Sequence, residues 1–123
     1  MTPKAIEKFL LALPGAKLSL QWGDDRVFKV GGKMFAVLSP SGSHARGMSF
    51  KASETSFHIL TRMKNIIPAP YLARAHWVAL EKLDALKPDD LKVYLMRAHA
   101  LIAAKLTKKE RTKLGMAEPA ELR

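Results

Sequence analysis

The sequence predicts an α+β domain in which helices cover one face of an antiparallel β-sheet. Segments of alternating apolar and polar residues follow one another from residue 17 to residue 51, with turn-forming residues between them. Apolar residues at helical spacing occur on both sides of that stretch. A sheet built from such segments has one apolar face, which helices must cover. The chain has 123 residues, the ordinary size of one domain.

The clearest strand signal is a β-hairpin centred on Gly31-Gly32. Strand-like segments at 26–30 and 33–37 flank this pair. A two-residue hairpin turn of a primed type requires positive φ, which glycine adopts without a steric clash. Another segment precedes the hairpin at 17–21 and a further one follows it at 46–51. The sequence therefore predicts a four-stranded antiparallel meander.

Strict alternation from the two-residue turn predicts which side chains of the hairpin face the core. Phe28 then lies opposite Phe35, and both face the helices. Lys29, Met34 and Ala36 lie on the outer face, which is predicted to be cationic and partly apolar. A bulge in either strand would reverse this assignment.

Capping residues and apolar spacing predict the helices. The predicted starts are Thr2-Pro3, Ser53, Pro88 and Thr107, and the helix that Pro88 opens extends to about Lys105. Between the second and third helices, the proline-containing stretch 65–75 is predicted as an irregular connection and 77–80 as a fifth, short strand. We expect one domain over residues 1–115 and a loosely ordered tail over residues 116–123.

The charge of the chain is strongly positive. Lysine and arginine total 21 against 11 aspartates and glutamates, which gives a net charge of +10. Between residues 26 and 74, Glu54 is the one acidic residue among the basic ones, and a second basic cluster lies at 105–113. Such a field raises the local concentration of polyanions. A solvated surface that keeps the protein soluble is the alternative interpretation.

The sequence carries no motif typical of an enzyme or a metal site. Cysteine is absent, which excludes disulfides, thiolate metal ligands and cysteine nucleophiles. The histidines show no metal-ligand spacing, and Gly31-Gly32 lacks the spacing and the following helix of a phosphate-binding loop. We therefore expect no catalytic residue, no cofactor and no bound metal. The N-terminal segment has the pattern of neither a signal peptide nor a membrane span, so we expect a cytoplasmic protein without membrane contact.

Five stretches combine into a distinctive set of motifs. They are LPGA (13–16), QWGDDRVFKVGGKMFAVLS (21–39), SFKAS (49–53), PAPYLARAHWVAL (68–80) and AAKLTKKER (103–111). The segment FKVGGKMFA and the pattern P-x-x-x-L-x-x-x-H-W are the most specific of these. In order and spacing, the stretches resemble the MmcQ/YjbR family.

The resemblance implies a fold similar to that of bacterial frataxin and DNA binding through a so-called double-wing arrangement of sheet and loops. The matching motif positions are Phe28, Lys29, Gly31, Gly32, Lys33, Phe35, Lys51, Pro68, His76 and Trp77. The long helix departs from the family, because many relatives carry Ser-Tyr where this chain has His99-Ala100. Frataxins bind iron at an acidic ridge, whereas Glu7 here lies between Lys4 and Lys8, so we do not expect iron binding.

The first functional hypothesis is a non-enzymatic nucleic-acid-binding domain that contacts mainly phosphates, with DNA favoured over RNA. The candidate charge contacts are Lys29, Lys33, Arg46, Lys51, Arg62, Lys64 and Arg74. His76 and Trp77 are candidate stacking or groove residues, and core packing is the favoured alternative for Trp77. If the charges serve a polyanion, they should gather on one surface of the structure.

Two other functions remain open. The chain is a protein-interaction adaptor if a partner docks on the face of Met34 and Ala36 or on the loop around Tyr71. It is a small-molecule binder if a pocket lies near Trp77 and His99, between these residues and the sheet. The sequence does not indicate an oligomeric state.

Overall fold

The computed structural model describes residues 1–21, 25–39 and 47–115 and confirms the predicted α+β class. Six strands form an antiparallel sheet with the order β1-β2-β3-β4-β6-β5. The strands are β1 (Ala16–Gln21), β2 (Asp25–Val30), β3 (Lys33–Leu38), β4 (Met48–Lys51), β5 (Ile66–Pro68) and β6 (Trp77–Leu80). The predicted tail at 116–123 lies outside the described residues.

The first four strands form the predicted meander, and β6 pairs with β4 as a fifth strand. The strand β5 was not predicted, because Pro68 favoured an irregular connection. It pairs with β6 alone and forms the edge of the sheet. An edge strand tolerates proline because the missing N–H can be on the side that has no neighbour.

The hairpin turn has the predicted geometry, but the register behind it differs. Gly31 and Gly32 have φ angles of 58° and 80°, which a primed two-residue turn requires. Lys29 pairs with Met34, as a two-residue turn requires, and then the register shifts at a bulge, so that Phe28 pairs with Ala36 and not with Phe35 as predicted.

The bulge changes the orientation of one side chain that was predicted on the outer face. Phe28 and Phe35 are fully buried in the main core, as predicted. Ala36 is also fully buried there, so its predicted place on the outer face is wrong. A strict two-residue alternation cannot continue through a bulge, where two residues of one strand oppose a single residue of the other.

Among the described residues, four α-helices follow the predicted caps, at α1 (Pro3–Leu11), α2 (Glu54–Leu60), α3 (Pro88–Ala103) and α4 (Lys108–Lys113). The hydroxyls of Thr2 and Ser53 each accept a hydrogen bond of 3.1 Å from a backbone N–H of the first helical turn. Thr107 and Glu110 form the predicted capping box. Short 3₁₀ turns occur at Ala73–Ala75 and Leu83–Ala85. Within the three described ranges, every helix is too short or too polar to span a bilayer.

The two faces of the sheet bury different amounts of apolar surface. All of α1, α2 and α3 contribute to the main core on one face, for example through Leu10, Leu60 and Leu95. On the other face, which we call the open face, a small cluster contains Val27, Val37, Ala69, Trp77 and Ala79. Its members come from strands and from the connection after β5. The helices therefore cover one face of the sheet, as predicted.

Candidate nucleic-acid interface

One end of the sheet collects side chains that the sequence separates widely. The β2–β3 turn lies at this end, and the antiparallel pairing brings the last residue of β4 and the first residue of β6 beside it. Leu106, just after α3, also reaches the turn, since a Cβ built on Gly31 would lie 2.5 Å from Leu106 Cδ2. We call this region the hairpin end and define it as Lys17, 29–33, Lys51, 73–77 and Lys105.

Lysines from separate segments meet at the hairpin end. Lys17 on β1 is directly opposite Lys29 on β2 in the strand register. Like charges at directly opposed positions of a sheet repel one another. Burial lowers the pKa of Lys51, and the nearby positive charge of Lys105 lowers it further. In the pair Lys17–Lys29 and in the pair Lys51–Lys105, a bound anion would relieve the repulsion between the two positive charges.

One of these cations is held by a hydrogen bond, and another lies near an acidic group. The half-buried Lys51 donates a hydrogen bond from Nζ to the carbonyl of Ala75, the last residue of a 3₁₀ turn. The exposed Lys33 lies close enough to Glu110 for its charge to contribute to a lowered pKa of that carboxyl group. The main cause of that lowered pKa is the hydrogen bond that Glu110 accepts from the Thr107 N–H.

The predicted charge contacts do not form one surface. Lys29, Lys33, Lys51 and Arg74 belong to the hairpin end. Arg62 and Lys64 are exposed and lie just before β5 in the sequence. The first residue of β5 pairs with the last residue of β6, so these two cations lie at the end of the sheet opposite the hairpin end. Arg46 lies outside the described residues. Arg26, another cation of the basic stretch, forms a partly buried ion pair with Glu7.

Sequence reasoning missed two members of this group as candidate contacts. Lys17 faces Lys29 only because of the register between β1 and β2, which no local motif reveals. Lys105 was assigned to a separate basic cluster at 105–113, and only the packing of α3 against the sheet brings it near Lys51.

The two candidate stacking residues have different environments. Trp77 is 4% exposed and belongs to the small cluster on the open face, so it packs as a core residue. His76 is half-buried, with φ of 61° and its ring 5.4 Å from the ring of Phe57. Trp77 therefore presents little of its indole for stacking on a base.

His99 is a structural residue on the helix-covered side. Its Nε2 lies 2.7 Å from the carbonyl oxygen of Pro14, and its ring is perpendicular to that of Phe35, with the ring centroids 5.3 Å apart. Burial lowers the pKa of His99 by more than the hydrogen bond to Pro14 raises it. Because Phe35 belongs to the main core and Trp77 to the open face, the sheet separates His99 from Trp77. The predicted pocket between these two residues is therefore wrong.

The described residues offer no site built for a metal ion. Across these three ranges, no group of three or more His, Cys, Asp or Glu side chains is placed to hold one. Cations collect at the hairpin end instead, and they suit anionic groups such as phosphates.

Comparison with known proteins identifies the family. The family model described as YjbR matches residues 11–101. The structure is similar to the crystal structure of the Deinococcus radiodurans protein DR2400, which carries the domain DUF419, with a TM-score of 0.81 and 24% sequence identity. The likeness covers 94% of this chain and 89% of that protein, and at this identity it establishes the fold alone. No curated protein matches the sequence. Because the family model covers well over half of the sequence, the chain belongs to the MmcQ/YjbR family.

Proposed function

We propose that the chain is a non-enzymatic, DNA-binding domain that contacts the phosphate backbone through the hairpin end. The observation that carries this proposal is the convergence of lysines from separate segments, with Lys17 opposite Lys29 in the strand register and Lys51 near enough to Lys105 to feel its charge. Repulsion between these cations costs stability in the free protein, and a bound polyanion removes that cost. Absence of catalysis is part of the proposal because the sequence has no nucleophile or metal-ligand motif.

If lysines contact only phosphates, the domain should bind DNA duplexes with little preference for their base sequence. Lysine binds phosphate as a point charge and reads no base. Trp77 is buried, which leaves the hairpin end without an exposed tryptophan for stacking. We therefore expect similar affinities for duplexes of different sequence and a strong dependence on salt.

Fluorescence anisotropy of a labelled DNA duplex tests the proposal. If about five phosphates are neutralised, affinity should fall roughly 10²–10³-fold between about 50 and 200 mM salt. Absence of binding at the lower salt concentration would overturn the proposal.

Two variants with the same change of charge separate a defined surface from general attraction. The hairpin-end variant combines Lys33→Glu with Lys105→Glu, and the opposite-end variant combines Arg62→Glu with Lys64→Glu. All four side chains are exposed, so folding should survive both changes. We expect the hairpin-end variant to lose roughly tenfold or more in affinity, and its salt slope to fall by about two. Equal losses in the two variants would show that only net charge matters.

One observation favours a second candidate, the protein-interaction adaptor. Tyr71 is fully exposed, at 103%, and has φ of 67°, a conformation that costs a non-glycine residue about 1–2 kcal/mol. An exposed aromatic side chain on a strained turn is typical of a contact residue. The version of this hypothesis that used Met34 and Ala36 lacks support, because Ala36 is buried and Met34 packs against the small cluster. If Tyr71 binds a protein, Tyr71→Ser should leave DNA affinity unchanged.

A further inference from the structure

A small cleft lies where β1 meets the hairpin turn. It is lined by Gly15, Lys17, Lys29, Gly31, Gly32 and Leu114, and its volume is about 180 Å³. One water molecule takes up about 30 Å³ in the liquid, so the cleft has room for a group of several heavy atoms with some of its hydration water.

The charged residues that line the cleft are both cationic, although most of its exposed lining is carbon. The two lysines come from directly opposed positions of β1 and β2, and none of the six lining residues is acidic. Lys17 is exposed and Lys29 is half-buried. Two like charges at directly opposed positions repel one another, and an anionic ligand between them would relieve that repulsion.

The glycines add backbone donors to the two lysines. The N–H groups of Gly31 and Gly32 make no hydrogen bond to the described backbone, as the central residues of such a turn do not take part in the strand ladder. A Cβ at Gly32 would meet no atom within 4 Å, so the space in front of this residue is open. Two ammonium groups and free backbone N–H groups are donors of the kinds that bind phosphate oxygens.

We propose that this cleft is a phosphate-binding site in which Lys17 and Lys29 neutralise the charge of one phosphate group. The inference rests on the proposed function for the source of that group, a phosphate of the DNA backbone. The inference goes further than the proposed function because it assigns one phosphate group a fixed position in the cleft. The other lysines of the hairpin end are assigned no fixed phosphate position. A free phosphate compound has the same chemistry and is the other source that the test must distinguish.

Titration of isotope-labelled protein with inorganic pyrophosphate, followed by NMR, tests the site without DNA. We expect the amide signals of Gly31 and Gly32 to shift in a saturable way. In the variant Lys17→Gln with Lys29→Gln, the affinity should fall roughly tenfold or more. The matched control, Lys108→Gln with Lys109→Gln, removes two exposed charges from α4 outside the cleft lining and should retain the wild-type affinity. Shifts that are absent, or equally large in the cleft variant, would overturn the inference.

A parallel titration with the labelled duplex distinguishes the two sources of phosphate. If the cleft holds a DNA phosphate, the cleft variant should bind the duplex more weakly than the α4 control does. Wild-type duplex affinity in the cleft variant would overturn the assignment to DNA. If pyrophosphate binds in the cleft while wild-type protein binds no duplex, the proposed function fails and the site remains one for a free phosphate compound.

Discussion

The two glycines of the hairpin turn should differ in their tolerance of alanine. Both have positive φ, so alanine at either position costs about 1–2 kcal/mol of backbone strain. At Gly32 the new Cβ meets nothing within 4 Å, and that strain is the whole cost. At Gly31 it would lie 2.5 Å from Leu106 Cδ2 and 2.7 Å from Leu106 Cδ1.

The clash at Gly31 cannot be relieved cheaply. Leu106 is 3% exposed and packs in the main core, so its side chain has little freedom to move away. Forcing an additional methyl group into such a site costs about 1–3 kcal/mol. Gly31→Ala should therefore lower the free energy of unfolding by about 2–5 kcal/mol, against about 1–2 kcal/mol for Gly32→Ala.

Urea denaturation at constant pH measures both losses from the shift of the transition midpoint. A double-mutant cycle then isolates the steric part, because Leu106→Val removes the two Cδ atoms that cause the clash. In that background Gly31→Ala should cost little more than the backbone strain of about 1–2 kcal/mol, because of the three close contacts only the one at the γ position, 3.2 Å away, remains. If Gly31→Ala and Gly32→Ala cost the same, or if Leu106→Val leaves the cost of Gly31→Ala unchanged, the packing of Leu106 on the turn is refuted.

Two further predictions concern buried aromatic groups. The folded state lowers the pKa of His99 below its ordinary value of 6.5, so below that pH the unfolded chain binds a proton that the folded chain does not. The contribution of His99 to the free energy of unfolding should then be largest above pH 6.5 and fall on acidification by at most about 1.4 kcal/mol per pH unit. Denaturation curves at several pH values measure this fall, and His99→Gln should remove it. Trp77→Ala should lower the stability by about 3–5 kcal/mol, because the indole is 4% exposed. Its aromatic control, Tyr71→Ala, should change the melting temperature little, and equal effects of the two would contradict the burial of Trp77.

Local signals predicted those parts of the fold that depend on neighbouring residues. The Gly31-Gly32 turn was predictable because two adjacent residues need positive φ. The caps at Thr2, Ser53 and Thr107 were predictable because a side-chain acceptor must satisfy N–H groups within the next few residues. These requirements are met within a few residues and do not depend on the rest of the chain.

Features that depend on contacts between distant segments were not predictable. The bulge at Phe28–Lys29 places both Phe35 and Ala36 in the core, which a strict alternation cannot anticipate. The strand β5 is short and ends in Pro68, so only its pairing with β6 reveals it. Core packing of Trp77 was the favoured interpretation, but its place on the open face depends on contacts with distant residues, among which Ala69 comes from the connection after β5.

The candidate site was predicted in part for the same reason. Lys29, Lys33 and Lys51 were identified from the hairpin motif and the alternation of β4. The partners that make them a cluster, Lys17 and Lys105, depend on strand register and on the position of α3. Arg62 and Lys64 were predicted as contacts from the net charge alone, and the fold places them at the opposite end of the sheet. A count of charges contains no information on which end of the sheet each charge occupies.

The most direct test of the central claim is an NMR titration of isotope-labelled protein with a short DNA duplex. It maps the contact surface residue by residue in the wild-type protein. We predict that the largest amide shifts occur at 29–33, Lys51 and Lys105, while Arg62 and Lys64 shift little. Shifts spread evenly over both ends of the sheet, or centred on the opposite end, would contradict the assignment of the hairpin end as the DNA-binding surface.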